Sequence, residues 1–430
     1  MDGAAMRDDW RWRVFGAAAA LCLLTLAGAR GADEPAEKLV EYIARYNRLG
    51  EKDVDARLEL AAWCAQRGLA AQQMGLLREA VKLDARQEAA YRLLLETDAK
   101  HARPVDEQWA GRLLDLPGAD FRLFHSAHFT LLSDTDELTM RGQAEAMEET
   151  YRTFYEETSR IGLRALPPEG RLVSVLFSRR EAYRDFLRRF EGVGAEWAAG
   201  MYSWRTNRCA FYHDRDNPAF KEPREKLTAT DAQIEELRAE MAALPEAATG
   251  QRLQIQGRLK KLKAERDEIA LRLSAVTRLT TLAKARHEVS HQLFYNSGLL
   301  KRGTEYPFWL NEGLAMVFEV GDEQGRGSPR MVNQFRLKTY RTAQRDGKLI
   351  GLEELLAEHP GEGEDAIVVA EKYAQAWGLM YFLWNRRTEQ LKGFLEDASA
   401  EQQNWGRLFV KRFGELQALE EEMRRFVGGL

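Results

Sequence analysis

The period of the hydrophobic pattern changes near Pro117 and Gly118. From Glu34 to Asp115, apolar residues recur every three or four positions, which is the spacing of amphipathic helices. Beyond Gly118, short apolar runs of strand length alternate with longer segments of helical period. The sequence therefore predicts a small helical module followed by a region of a different fold class.

The region after Gly118 alternates between strands and helices. Strands are predicted at 128–132, 172–177, 200–204 and 208–212, and helices at 138–161 and 180–190. Three residues that end in Asn207 separate the last two strands, which is the spacing of a β-hairpin with a turn-forming residue. This order of elements predicts an α+β fold.

Two heptad runs within residues 221–276 predict an antiparallel helical hairpin inserted into the α+β domain. The repeat positions are Leu227, Thr230, Ile234, Leu237, Met241 and Leu244, then Ile255, Leu259, Leu262, Arg266, Ile269, Leu273 and Val276. The second run continues in phase to His287, which indicates one continuous helix. This coiled-coil arm is either a solvated hairpin or a surface that binds a protein partner.

Residues 1–32 have the pattern of a secretory signal peptide. Three arginines precede an apolar run from Val14 to Ala29, and small residues follow it. The run is shorter than the roughly 20 residues that span a bilayer, so we expect export to the periplasm or the medium with cleavage after Ala29. The alternative is an uncleaved N-terminal anchor; no other membrane segment is expected.

Composition excludes several classes of protein. The chain has 430 residues, enough for two or three domains with their own cores. With 63 Lys and Arg against 67 Asp and Glu, its net charge of -4 predicts no nucleic-acid partner. Three cysteines without a C-x-x-C pair exclude a thiolate metal site and a disulfide scaffold.

Candidate metal chemistry begins at His287, Glu288 and His291, which form an H-E-x-x-H pattern. Residues four apart share one face of a helix, so the two imidazoles can bind one ion while Glu288 remains beside them. Gly298 provides the stop for this helix. Glu312 lies on the next predicted helix, 308–319, which Pro307 precedes. It is the natural third ligand and leaves a fourth tetrahedral position open, as catalytic zinc sites require.

Three segments resemble the gluzincin metallopeptidases, specifically the peptidase MA-like group of exported bacterial proteins. They are HEVSHQLF at 287–294, WLNEGLAMVFE at 309–319 and YAQAWGLMYFLW at 373–384. The resemblance covers roughly residues 121–430. It implies a zincin-like domain that binds Zn²⁺ through His287, His291 and Glu312 and hydrolyses peptide bonds with Glu288 as general base.

The same resemblance extends to further features of the site. The strands at 200–212 correspond to the segment that binds extended substrate in gluzincins. Tyr373 corresponds to a tyrosine that stabilises the oxyanion in some members; the alternative is an ordinary core tyrosine. Thermolysin-like members carry an Asp four residues after the glutamate ligand, but Met316 stands there, so the residue that orients a ligating histidine is not assigned.

The predicted organisation has four parts. They are a signal peptide at 1–32, a helical domain at 33–118, a zincin-like domain at 119–345 with the insertion 221–276, and C-terminal helices at 346–430 that complete the cleft. Within the helical domain, residues 58–94 loosely resemble one tetratricopeptide-type hairpin. We interpret this domain as a helical cap or as a groove that binds a protein partner.

Two other functions are consistent with the sequence. The first is a catalytically silent zincin scaffold that keeps its metal and binds a partner in the cell envelope through the helical domain and the arm. The second leaves His287 and His291 as ordinary polar residues without an ion. Within the enzyme hypothesis, the substrate is a peptide or protein, with another amide as the alternative.

Overall fold

The computed structural model describes residues 33–101, 121–192, 198–214, 217, 220–321, 327–360, 364–400 and 404–430. The predicted signal peptide and the predicted domain boundary near residue 118 lie outside these ranges. Contacts divide the chain into two compact units, Met1–Ala102 and Arg103–Leu430. The fold is α+β and mostly helical with a small mixed sheet, which confirms the predicted fold class.

The described part of the first unit is helical. Its helices are α1 (Asp33–Tyr46), α2 (Val54–Gln66), α3 (Ala70–Leu83) and α4 (Glu88–Asp98). Asp53 begins α2, because its carboxylate accepts a hydrogen bond from the otherwise unpaired N–H of Ala56. Gly68 turns the chain between α2 and α3 at a φ of 73°, a left-handed conformation that favours glycine. The predicted helical module is present, and its likeness to a tetratricopeptide hairpin stays a prediction.

The second unit is built around a five-stranded sheet. Its strands are β1 (Arg122–His125), β2 (Phe129–Ser133), β3 (Leu172–Phe177), β4 (Gly200–Ser203) and β5 (Arg208–Tyr212). Their order is β1-β2-β3-β5-β4, with β2, β3 and β5 parallel and the two edge strands antiparallel to their neighbours. The sequence did not predict β1, because this short edge strand has no buried residue to mark its period.

Helices connect the strands and cover the sheet. Helix α5 (Glu137–Arg160) follows β2, and α6 (Arg180–Phe186) follows β3. The helix predicted at 180–190 ends earlier, because Leu187–Glu191 forms a π-helical turn that closes with Gly192 at a φ of 68°. Val175 and Phe177 of β3 pack with Tyr183 and Phe186 of α6 in one buried cluster.

The inserted arm consists of α7 (Lys221–Ala243) and the first half of α8 (Thr249–Asn296). Ile234, Leu237, Ile255 and Leu259, all at predicted heptad positions, form its buried core. Helix α8 runs for 48 residues without a break, so the arm is continuous with the helix that carries the H-E-x-x-H motif. It ends beside Gly298, whose φ of 83° turns the chain as predicted.

The remaining helices follow α8. They are α9 (Phe308–Met316), α10 (Gln334–Arg345), α11 (Leu352–Ala357), α12 (Ala366–Arg386), α13 (Thr388–Ala400), α14 (Trp405–Phe413) and α15 (Leu416–Gly428). Helix α9 packs against α8 and α12. Phe318, just beyond α9, contacts Phe154 of α5 and Phe294 of α8 at ring distances of 5.8 and 6.0 Å. This packing fixes α9 against α8. Among the described helices, none has both the length and the apolar character needed to cross a membrane.

Candidate metal centre

Helix α8 presents the H-E-x-x-H residues at the point where α9 packs against it. His287 and His291 lie one turn apart, and their Nε2 atoms are 3.1 Å from each other. Both side chains are largely buried, at 13% and 8% exposure. The imidazoles therefore face one small space from a rigid helix.

Glu312 reaches the same space from α9. Its Oε2 lies 3.1 Å from Nε2 of His287, and its Oε1 lies 3.5 Å from Nε2 of His291. Two ligands bound tetrahedrally at about 2.0–2.1 Å from a zinc ion are about 3.3 Å apart. The His287–His291 and His287–Glu312 separations of 3.1 Å lie near that edge, and one donor atom from each of the three residues lies within 4.8 Å of the others, so the donor set fits Zn²⁺ in chemistry and approximate spacing. Together the three residues form a group that could hold a metal ion.

Glu319 orients His287 from the opposite side of the ring. Its Oε1 accepts a hydrogen bond from Nδ1 of His287 at 2.9 Å. Because a carboxylate can only accept, Nδ1 carries a proton, and Nε2 is the nitrogen that would bind an ion after releasing its own proton. This is the orienting residue that the sequence did not assign. Glu319 follows Glu312 by seven residues, two helical turns, which is the signal that could have identified it.

The predicted helix 308–319 ends at Met316, so Glu319 lies just outside it. The last hydrogen bonds tighten to three-residue spacing, from Phe318 N–H to Ala315 O and from Glu319 N–H to Met316 O. This tight turn brings the Glu319 carboxylate to His287. The side chain of Met316 cannot take that role, because it is apolar and fully buried.

Two residues at the start of α10 hold Glu319. Arg336 donates to both of its carboxylate oxygens, at 2.8 and 3.3 Å, and Asn333 Nδ2 donates to Oε2 at 2.8 Å. Burial alone would raise the pKa of Glu319, but the charge of Arg336 and the His287 hydrogen bond lower it to about 2. The carboxylate is therefore ionised at neutral pH and keeps His287 in one orientation.

The candidate ligands His287 and Glu312 share a strong electrostatic interaction. Burial opposes the charged form of His287, but its hydrogen bonds to Glu312 and Glu319 raise its pKa well above the usual value. Burial also opposes the charge of Glu312, but His291 and His287 lower its pKa far below its usual range. In the metal-free site the two charges stabilise each other, and a bound cation would take the place of the proton on Nε2 of His287.

Glu288 lies beside the three ligand residues and outside their group. Burial raises its pKa, while the neighbouring His287 and His291 act in the opposite direction. Its carboxylate approaches Gly200 so closely that a Cβ there would lie 2.6 Å from Oε1 and 2.9 Å from Cγ. Gly200 begins β4, the edge strand of the sheet. The predicted substrate-binding strand therefore lies directly against the predicted general base.

Tyr373 of α12 is also brought to this site. Its ring packs on Phe308 at 4.9 Å and lies 5.5 Å from the guanidinium carbon of Arg336. Burial raises the pKa of Tyr373 well above its usual value, and the nearby carboxylate of Glu312 raises it further. The phenol therefore keeps its proton and can act as a hydrogen-bond donor.

Comparison with known proteins relates the site to a family without an assigned activity. Residues 281–403 match the model of a family described as a protein of unknown function, DUF1570. The matched segment contains the three candidate ligands, Glu288, Glu319, Arg336 and Tyr373. A search of curated proteins found no match.

Proposed function

We propose that this protein is a zinc-dependent peptidase of the gluzincin type. The observation that carries the proposal is the convergence of His287, His291 and Glu312 at separations of 3.1 to 3.5 Å, with Glu288 beside them. In the second unit, edge strand β4 lies beside helix α8, and helix α9 packs on α8; this order of elements supports a zincin-like arrangement.

The donor set defines the role of the ion. His287, His291 and Glu312 would hold Zn²⁺, which supplies Lewis acidity toward a carbonyl oxygen and acidifies water. Two nitrogen ligands and one carboxylate leave a coordination position open, unlike the closed sets of structural zinc sites. Glu319 and Arg336 keep the His287 ring in the binding orientation.

The protein's own groups provide the remaining steps of hydrolysis. The Glu288 carboxylate takes a proton from the water that attacks the scissile carbonyl carbon and passes it to the leaving amine nitrogen. The edge of β4 binds the substrate in extended form by main-chain hydrogen bonds. The Tyr373 hydroxyl donates a hydrogen bond to the oxygen that gains negative charge in the transition state.

Segment 1–32 would export the protein, with either cleavage after Ala29 or retention as an anchor. The helical unit and the arm would then be available to partners in the cell envelope. Mass spectrometry of the N-terminus of protein recovered from the producing cell distinguishes these outcomes: a chain that begins at Arg30 indicates cleavage, and a chain that retains Val14–Ala29 indicates an anchor.

Peptide-library cleavage by the purified protein tests the enzymatic proposal. We expect cleavage that phenanthroline abolishes and that added Zn²⁺ restores. A matched reaction with a non-chelating phenanthroline isomer controls for inhibition unrelated to metal. Peptide binding without cleavage by zinc-loaded protein would contradict the peptidase and favour the binding scaffold.

A further inference from the structure

The Glu312 carboxylate is fixed by its neighbour in sequence. The side-chain nitrogen Nδ2 of Asn311 donates a hydrogen bond to Glu312 Oε1 at 3.2 Å. Successive residues on a helix point about 100° apart, so two adjacent side chains do not meet by default. The bond holds the oxygen that faces His291, while the other oxygen faces His287. Asn311 therefore sets the rotation of the carboxylate between the two imidazoles.

The Asn311 amide is in turn oriented from α8. The hydroxyl of Tyr295 lies 3.2 Å from Oδ1 of Asn311 and donates to it. An amide has one accepting and one donating end, so a donor at Oδ1 leaves the NH₂ group directed at Glu312. Tyr295 follows His291 by one helical turn, which places the phenol on the ligand-bearing face of α8.

The Tyr295 ring packs against two other aromatic residues. Its centroid lies 5.5 Å from that of Tyr202 on β4 and 5.9 Å from that of Tyr306. These two contacts restrict the ring, so its hydroxyl stays within reach of Asn311. The Tyr306 hydroxyl has a different partner, the main-chain N–H of Lys301 at 2.9 Å, and does not join this chain of bonds.

We infer that Tyr295 and Asn311 are positioning residues that fix Glu312 as a metal ligand. They form a hydrogen-bonded relay from α8 to the ligand on α9, separate from the Glu319 contact that orients His287. The inference rests on the zinc site of the proposed function. It predicts that the metal affinity depends on two residues that do not themselves bind the ion, as outer hydrogen-bond partners of metal sites do.

Zinc affinity measured by competition with a chromophoric chelator tests the relay. Asn311→Leu removes the donor at nearly constant shape, and we expect affinity to fall by about 10–100-fold. Tyr295→Phe keeps the ring and should give a smaller loss. Because the phenol acts only through the amide, the double variant should bind zinc as weakly as Asn311→Leu alone. Tyr306→Phe, which removes a hydroxyl from the same aromatic cluster, should bind like the wild type.

Two further readouts separate positioning from general damage. The thermal midpoint of the metal-free protein should change little in Tyr295→Phe. The visible absorption spectrum of the Co²⁺-loaded protein should differ from wild type in both single variants, because a rotated carboxylate changes the ligand field.

Wild-type zinc affinity in Asn311→Leu would overturn the inference, and additive losses in the double variant would overturn the relay. If the variants change zinc affinity as expected but the wild-type protein cleaves no peptide, only the proposed peptidase activity is refuted. A wild-type protein that binds neither Zn²⁺ nor Co²⁺ would refute both.

Discussion

Gly200→Ala should impair catalysis through Glu288 while leaving the metal ligands intact. The added Cβ would lie 2.6 Å from Oε1, 2.9 Å from Cγ and 3.0 Å from Cδ of Glu288. These distances are shorter than ordinary van der Waals contacts, so the carboxylate or the edge strand must move by roughly 0.5–1 Å. Glu288 is only 6% exposed and has little space to retreat into. A misplacement of about 1 Å can cost about 100-fold in rate.

We therefore expect kcat/KM for a cleaved peptide to fall about 100-fold in Gly200→Ala, which equals about 2.7 kcal/mol of transition-state stabilisation. Zinc content, measured by elemental analysis, should remain at one ion per chain. Gly257→Ala is the matched control, since a Cβ there meets no atom within 4 Å and alanine favours the helix. Wild-type kcat/KM in Gly200→Ala would refute the close coupling of the edge strand to Glu288.

Three other experiments test the support of the site. Glu319→Gln should weaken zinc binding by about 10–100-fold in chelator competition, because the neutral amide loses its ionic contacts; unchanged affinity would contradict its orienting role. Phe154→Ala should cost about 3–5 kcal/mol in urea unfolding, whereas Leu138→Ala, at an 82% exposed position, should cost less than about 0.5 kcal/mol; equal losses would refute the packing argument. The double substitution Ile234→Ala and Ile255→Ala should speed hydrogen exchange in the arm but leave zinc affinity unchanged; lost affinity would show that the site depends on the arm core.

The residues nearest the candidate ion could be predicted from the sequence because their spacing is local. His287, Glu288 and His291 follow from the period of one helix, and the in-phase heptad predicted that α8 would continue from the arm into this motif. Glu312 required only a second helix starting after Pro307. The structure brings these four side chains together.

Apart from the seven-residue spacing of Glu312 and Glu319, nothing local in the sequence marks the supporting residues, because tertiary packing brings them together. Glu319 lies beyond the end of α9, and Arg336 reaches it from α10. Gly200 meets Glu288 only because β4 is the sheet edge beside α8. The spacing of hydrophobic residues describes one helix or strand at a time. It does not give the distance in space between two elements that are far apart in the chain. The role of Tyr373 stays a prediction, although the structure places its ring beside Arg336.

Glu288→Gln tests the central claim most directly, because it removes the proton acceptor and retains the three candidate ligands. Zinc content and peptide turnover should be measured on the same preparations of this variant and the wild type. We expect equal zinc content and a loss of turnover of about 10²–10⁴-fold, the typical contribution of a general base. Equal zinc content with wild-type turnover would contradict the proposed mechanism.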